Sequence, residues 1–280
     1  MQQAIKHLRS ELTPIYEEAE LSSVIRLIIS KITGYSFTEI LVNKNTIFLP
    51  YQWNLLEFYL EKLKKQMPVQ YVLGEAEFFG LDFIVNESVL IPRPETEELV
   101  GWIIEEVQPD AVMLDIGTGS GCIPISLKSN LPNADVYACD ISSEALNVAR
   151  LNAEKNNQQV TFFKMDILTE TKADKKYHVI VSNPPYIPQQ EIDSILPQVK
   201  DFEPHQALFV DNEDPLIFYR KIASYAKQHL YPGGKVFFEL HQDYANDCLQ
   251  MLIELDFVNV VLRKDLSGND RMIKAEELNK

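Results

Sequence analysis

The sequence predicts an α/β protein: an open, mostly parallel sheet of seven strands with helices packed on it, preceded by a small helical domain. Three observations carry this expectation. From about residue 94 onward, short β-branched apolar runs alternate with longer amphipathic runs. Residues 1–75 show only helical periodicity. Between them the period changes at "EAEFFGLDFIVNESVLIP", where two β-type runs flank Gly80-Leu81-Asp82 in the manner of a hairpin. The expected boundaries are a helical domain over 1–75, a β-hairpin linker over 76–92 and an α/β domain over 93–280.

Each element follows from its own pattern. In "SSVIRLIISKITG", Val24, Ile25, Ile28, Ile29 and Ile32 recur at helical spacing, and Gly34 stands where a left-handed C-terminal cap belongs. "NLLEFYLEKLKKQ" repeats the pattern through Leu55, Leu56, Tyr59, Leu60 and Leu63. "PETEELVGWIIEEV" opens with Pro94 and with Glu95, Glu97 and Glu98, which suit a helix N-terminus. "AVMLD" is the first strand of the α/β domain, "GCIPISLKSN" opens a helix, and "DVYACD" is the next strand. "SSEALNVARLNAEKNN" is a helix with Ser142 or Ser143 as its N-cap. "QVTFF", "HVIVSN", "KVFFEL", "FVNVVLR" and "RMIKAE" supply five more strands, and a helix is expected from about Pro215 with Asp214 as its cap.

Composition excludes several function classes. The 280 residues carry a net charge of −15, and all of it falls in residues 76–280, because residues 1–75 balance 8 basic against 8 acidic side chains. A domain this acidic repels a phosphate backbone, which argues against DNA or RNA as the direct substrate. No apolar run approaches the roughly 20 residues of a membrane span. The N-terminal segment lacks the apolar core of a secretory signal. Cys122, Cys139 and Cys248 form no CxxC pair, and the five histidines form no HxH or HExxH pair, so no metal site is expected and a reducing, cytoplasmic setting is. His178, His205, His229 and His241 read as surface or capping residues rather than catalytic bases; His205 follows a candidate substrate loop.

Chemistry concentrates in two places. "LDIGTGSGC" links a strand to a helix, and Gly117, Gly119 and Gly121 allow a tight turn and close backbone approach to a ligand. A dinucleotide fingerprint needs glycine where Cys122 stands, and no Gly-Lys-Ser/Thr follows for a phosphate loop. Asp115 beside the loop suits a ligand ammonium. Asp140, ending the next strand, can accept both ribose hydroxyls of an adenosine. Asp166 is placed to meet an adenine amino group, with Ile167 and Leu168 against the ring. An adenosine joined to an amino acid, without pyrophosphate, favours S-adenosylmethionine over a nicotinamide cofactor.

The second place is "SNPPYIP", at the carboxyl end of the fourth strand. A planar NH2 group is a poor nucleophile because its lone pair is delocalised. The Asn183 side-chain oxygen and the Pro184 carbonyl can each accept one of its N–H bonds and aim the lone pair at a methyl donor. Pro184 and Pro185 preset the carbonyl direction, and Tyr186 can stack on the flat acceptor. Adenine N6, guanine N2 and a glutamine amide all meet this description, and a non-catalytic binding protein of the same fold is a further alternative.

Four stretches together narrow the choice. "PVQYVLGEAEFFGLDFIVNESVLIPRPETEELV", "DIGTGSGCI", "SNPPYIP" and "DFEPHQAL" resemble the HemK/PrmC-type family of peptide chain release factor N5-glutamine methyltransferases, and the resemblance spans nearly the whole chain. It implies a Rossmann-like methyltransferase domain and a helical N-terminal domain that helps grip a protein substrate. It implies S-adenosylmethionine as donor, with S-adenosylhomocysteine as product, and the glutamine of the release factors' Gly-Gly-Gln motif as acceptor; a monomer is the separate expectation for its assembly. By that resemblance Gly117, Thr118, Gly119, Ser120, Gly121, Asp140 and Asn183 hold the cofactor, and Asp115, Ile141, Asp166 and Ile167 are expected beside them from their places at the strand ends. Asn183, Pro184, Pro185 and Tyr186 hold the substrate, with Asn183, Pro184 and Tyr186 catalytic. Two stretches differ from the family's usual pattern: "VDNEDPL" (Val210–Leu216) lacks glycines, and within Glu239–Ala245 His241 stands where glycine is expected.

Overall fold

The structure, a computed structural model, describes residues 1–169 and 175–278. Its contacts divide the chain into two compact units, one of Met1–Glu75 with Leu196–Phe202 and one of Ala76–Ile195 with Glu203–Lys280.

The smaller unit is built on α1 (Gln2–Leu12), α2 (Glu18–Thr33), α3 (Phe37–Val42), α4 (Pro50–Lys64) and α5 (Val69–Leu73). The expected apolar stripe of α2 is buried throughout, and Leu8, Leu21, Ile28, Leu56 and Leu60 are fully enclosed. Gly34 ends α2 at φ 71°, in the left-handed region, as its C-terminal position anticipates. Ser36 and Glu39 form a reciprocal capping box at the start of α3.

The larger unit begins with the hairpin β1 (Glu75–Phe78) and β2 (Leu81–Ile84). Its two-residue turn holds Phe79 at φ 50° and Gly80 at φ 73°, the doubly positive geometry that matches strand twist. The hairpin is anchored rather than free: Phe78 and Phe83 are buried edge-to-face, 6.0 Å apart, within the core of the larger unit. The elements that follow are α6 (Pro94–Glu106), β3 (Val112–Ile116), α7 (Cys122–Asn130), β4 (Asp135–Asp140), α8 (Ser143–Lys155), β5 (Thr161–Lys164), β6 (Tyr177–Ser182), β7 (Ile187–Pro188), α9 (Pro197–Phe202), which belongs to the smaller unit, α10 (His205–Leu208), β8 (Phe209–Val210), α11 (Ile217–His229), β9 (Leu230–Glu239), α12 (Ala245–Glu254), β10 (Val258–Lys264) and β11 (Asp270–Glu276).

Among the described residues seven strands form one sheet in the order β10-β11-β9-β6-β3-β4-β5. β9, β6, β3, β4 and β5 run parallel, and β11 and β10 join antiparallel at one edge. The central strands are rich in buried apolar residues because both faces are covered. Neighbours on β9 show this: Phe237 meets Trp102 of α6 edge-on at 5.5 Å, and Phe238 meets Tyr219 of α11 at 5.4 Å, on the opposite face. Truncating either phenylalanine to alanine costs about 3–5 kcal/mol by the usual scale for buried aromatics.

Two local expectations are corrected. The helix expected from Pro215 starts at Ile217 and lacks a side-chain cap; the Asp214 carboxylate instead binds Arg220 at 2.6 Å. A guanidinium six residues on competes successfully for a carboxylate that would otherwise cap the helix. His229 is buried rather than on the surface; it is the last residue of α11 and its Nδ1 lies 2.7 Å from the Tyr225 carbonyl. Ser142 is the N-cap of α8, its hydroxyl accepting from the Ala145 N–H at 3.1 Å.

Leaving β3, the chain moves to β4 and β5 on one side and later to β6 and β9 on the other. The order therefore reverses between β3 and β6, and a crevice opens at their carboxyl ends.

Candidate active site

The glycine loop leaves β3 and enters α7 at this crevice. Gly117, Gly119 and Gly121 hold φ 76°, 54° and 80°. At Gly121 space is also short: a Cβ would lie 3.0 Å from Ile125 Cδ1 and 3.1 Å from Ala149 Cβ, so the bare backbone lets α8 approach the loop. The loop N–H groups are largely spent within the protein. Gly117 and Thr118 donate to the Cys139 carbonyl, Gly119 to the Asp140 carboxylate and Gly121 to the Thr118 carbonyl. Such a loop offers little to a pyrophosphate, in contrast to a phosphate-cradling turn.

Asp140 lies at the end of β4 and faces a cleft of about 370 Å³, a size suited to a cofactor-like ligand. Its carboxylate accepts from the N–H groups of Gly119 and Ser142, each at 2.9 Å, leaving acceptor capacity toward the cleft. Burial raises its pKa, opposed by backbone N–H groups from Ser142, Gly119 and Ile141. Asp115 is the stranger group. It is 1% exposed, and burial pushes its carboxyl up to about 7, with the Thr118 hydroxyl offsetting part of the rise. Among the described residues neither of its buried oxygens has a partner in full hydrogen-bond geometry. Orphaned carboxylate oxygens beside the loop fit a ligand that brings positive charge to it.

Beside the loop, the Ser182 hydroxyl donates to the Ile116 carbonyl at 2.6 Å and ties the end of β6 to the end of β3. The chain then turns through Asn183, Pro184 and Pro185, which line the same cleft as Asp140.

The structure brings Gly117, Gly119, Asp140, Ile141, Asp166, Ile167, Asn183, Pro184 and Pro185 onto one cleft wall. Asp115, Thr118, Ser120 and Gly121 do not line that wall. Tyr186 is off it too: its hydroxyl donates to Glu239 Oε1 at 3.3 Å and its ring meets His241 edge-on. The Asp166 side chain also accepts from the Leu168 N–H at 2.9 Å, fixing a turn that puts Leu168 on the wall.

Sequence reasoning missed several functional neighbours. Val89, Leu90, Phe218 and Ile222 supply much of the apolar lining, yet they come from a loop and a helix without a local signature. Thr96 and Glu239, both buried, connect Asn183 with Tyr186. A carboxylate closing an otherwise apolar strand, "KVFFEL", was the available signal for Glu239. The two atypical stretches are built with side chains where glycine was expected. Asn212 Oδ1 accepts from the Gln190 N–H at 2.9 Å, and the His241 ring accepts from the Asp243 N–H at 3.3 Å.

The parallel sheet, the glycine loop and the polar turn at the switch point define a methyltransferase. Residues 99–199 match the Methyltransferase small domain, and residues 3–74 match the PrmC N-terminal domain. The chain belongs to the release factor glutamine methyltransferase family. It is 43% identical to the release factor glutamine methyltransferase of Flavobacterium psychrophilum, over 97% of this chain and 98% of that one. It is likewise 43% identical to the protein of that name from Bacteroides thetaiotaomicron, over 98% and 99% of the two chains. Among solved structures, a methyltransferase from Pyrococcus furiosus superposes with a TM-score of 0.55 at 22% identity, covering 82% of this chain and 100% of that one, which bears on the fold. Among the described residues no helix is long and apolar enough to cross a membrane.

Proposed function

We propose that this enzyme transfers the methyl group of S-adenosylmethionine to the side-chain amide nitrogen of the glutamine in the Gly-Gly-Gln motif of peptide chain release factors. The observation that carries this reading is the sharing of one cleft by Asp140 and the Asn183-Pro184-Pro185 turn. One end suits an adenosine and the other a planar NH2 group.

Bound S-adenosylmethionine would supply an electrophilic methyl group on a sulfonium. The chain supplies position and electrostatics. Asp140 accepts the ribose hydroxyls, Asp166, Ile141 and Ile167 flank the adenine, and Asp115, with Gly117–Gly121, serves the amino-acid end. The Asn183 side-chain oxygen and the Pro184 carbonyl each accept one amide N–H. Both bonds return electron density to nitrogen and hold its lone pair on the line of attack. The proton lost after transfer leaves an already cationic nitrogen, so no strong base is required at the site. Tyr186, off the cleft wall, braces the end of the turn through its hydroxyl, which donates to Glu239. The helical unit grips the protein substrate, and the enzyme works as a cytoplasmic monomer in translation termination. A nucleic-acid substrate is disfavoured by the 33 acidic against 18 basic side chains of residues 76–280.

Calorimetry with S-adenosylmethionine and with NAD tests the cofactor assignment: binding of the first and not the second is expected, and the reverse would overturn it. Incubating the enzyme with intact release factors and mapping the added methyl group tests the acceptor.

A further inference from the structure

Behind the Asn183-Pro184-Pro185-Tyr186 turn lies a chain of polar side chains in an otherwise apolar region. In the register of the parallel pair, Ser182 of β6 lies beside Phe238 of β9, so Asn183 and Glu239 follow as neighbours at the strand ends. Glu239 is 1% exposed. Its Oε2 accepts from the Thr96 hydroxyl at 2.6 Å and its Oε1 from the Tyr186 hydroxyl at 3.3 Å. Thr96, in the first turn of α6 and also buried, faces Asn183 Nδ2 at 3.4 Å. The Glu239 backbone is held as well, its carbonyl accepting from the buried Tyr219 hydroxyl at 3.1 Å.

Resting on the proposed acceptor chemistry, we infer that Glu239 and Thr96 are positioning residues that lock the Asn183 amide with its oxygen toward the substrate. The logic is one of proton direction. An ionised carboxylate only accepts, so the single proton of the Thr96 hydroxyl is committed to Glu239. The 2.6 Å separation lies within the range of a hydroxyl donating to a carboxylate. Thr96 Oγ1 then has only lone pairs left for Asn183. An acceptor there is compatible with the NH2 of Asn183 and not with its oxygen. Oδ1 must therefore point away from Thr96, toward the cleft, where an acceptor is needed for the substrate N–H. At 3.4 Å the Thr96 contact is long, and catalytic hydrogen bonds of this kind commonly tighten in the substrate complex. Glu239 also fixes the Tyr186 hydroxyl, so one carboxylate sets both ends of the turn. Burial raises the Glu239 pKa; the Thr96 hydroxyl and the charge of Arg271 counter that rise, and Glu95 adds to it.

Thr96→Val keeps the shape and removes the hydroxyl; Thr96→Ser keeps it. The expected result for Thr96→Val is a kcat reduced by about 10- to 100-fold, the scale of a misaligned reactive geometry. S-adenosylhomocysteine affinity should stay within about threefold, with Thr96→Ser recovering most of kcat. Glu239→Gln is nearly isosteric and should lower kcat at least tenfold, which serves if Thr96→Val is not recovered folded. A wild-type kcat in Thr96→Val or Glu239→Gln would overturn the inference. So would equal losses in Thr96→Val and Thr96→Ser, or a loss of affinity that parallels the loss of rate. A second readout needs no turnover. The Asn183 side-chain NH2 resonance, identified by its loss in Asn183→Ala, should move in Thr96→Val and return in Thr96→Ser; an unmoved resonance contradicts the orientation. If wild type leaves the glutamine unmodified, the acceptor assignment falls, and the resonance still decides whether Thr96 faces Nδ2.

Discussion

The Asn152 side chain donates a hydrogen bond to the Ser120 carbonyl at 2.9 Å, reaching from the middle of α8 into the glycine loop. The same amide donates to the Ile84 carbonyl at 2.9 Å and accepts from the Ile84 N–H at 2.6 Å. One fully buried side chain thus clasps the end of the hairpin and the loop to a single helix. Gly121, without a Cβ, is what lets α8 stand close enough.

Replacing Asn152 with alanine leaves three backbone groups without their partner, the Ser120 carbonyl in the interior and the two of Ile84 partly buried. A loss of about 2–4 kcal/mol is expected, since each unpaired buried group carries its own desolvation cost. Urea unfolding of variant and wild type measures it through the shift in midpoint. A midpoint unchanged from wild type would mean that the clasp contributes nothing.

Asp140→Ala should weaken S-adenosylmethionine binding by about 2–4 kcal/mol, from two lost hydrogen bonds to a charged group. The Gly119 and Ser142 N–H groups lose their acceptor too, so part of the loss comes from a loosened loop. Calorimetry on the purified variant checks this, and unaltered affinity would remove Asp140 from the site.

Stability should fall as pH rises through the window opened by Asp115. The ordinary aspartate pKa is about 4, and burial pushes this one up to about 7. Between those values the folded state holds a proton that the unfolded chain has released. Folding is therefore unpenalised below about pH 4, and the full penalty is reached above about pH 7. The shift corresponds to about 4 kcal/mol. Asp140, Glu203 and Glu239, also raised by burial, act with the same sign. Asp115→Asn should flatten the slope of unfolding free energy between pH 5 and 7. A slope equal to wild type would show that Asp115 does not titrate there.

The sheet was legible because its strands carry local signals: "DVYACD" is β4 from end to end, and Gly34 and Ser142 cap the helices where expected. The cleft's polar landmarks were legible for the same reason. Asp140 and Asn183 each follow a strand, and strand ends in a parallel sheet converge on the ligand. What escaped detection depends on contacts between residues far apart in sequence. Thr96 reads as an ordinary first-turn residue of a helix until Glu239, 143 positions later, is seen against it. Asn152 reads as a polar residue in an amphipathic helix, yet its partners are Ile84 and Ser120. Tyr186 was expected to face the acceptor. Its ring is off the cleft wall, with the hydroxyl bonded to Glu239, and the carboxylate closing "KVFFEL" does not by itself announce a partner 53 positions earlier.

Asn183 carries the central claim. A release factor and S-adenosylmethionine are incubated with wild type or with Asn183→Ala, and the Gly-Gly-Gln peptide is read by mass spectrometry after digestion. Wild type should add one methyl group to the glutamine side chain, and Asn183→Ala should do so about 10²- to 10³-fold more slowly, the usual loss of one preorganised electrostatic partner. Methylation by Asn183→Ala at the wild-type rate, or a glutamine left bare by wild type, would contradict the account.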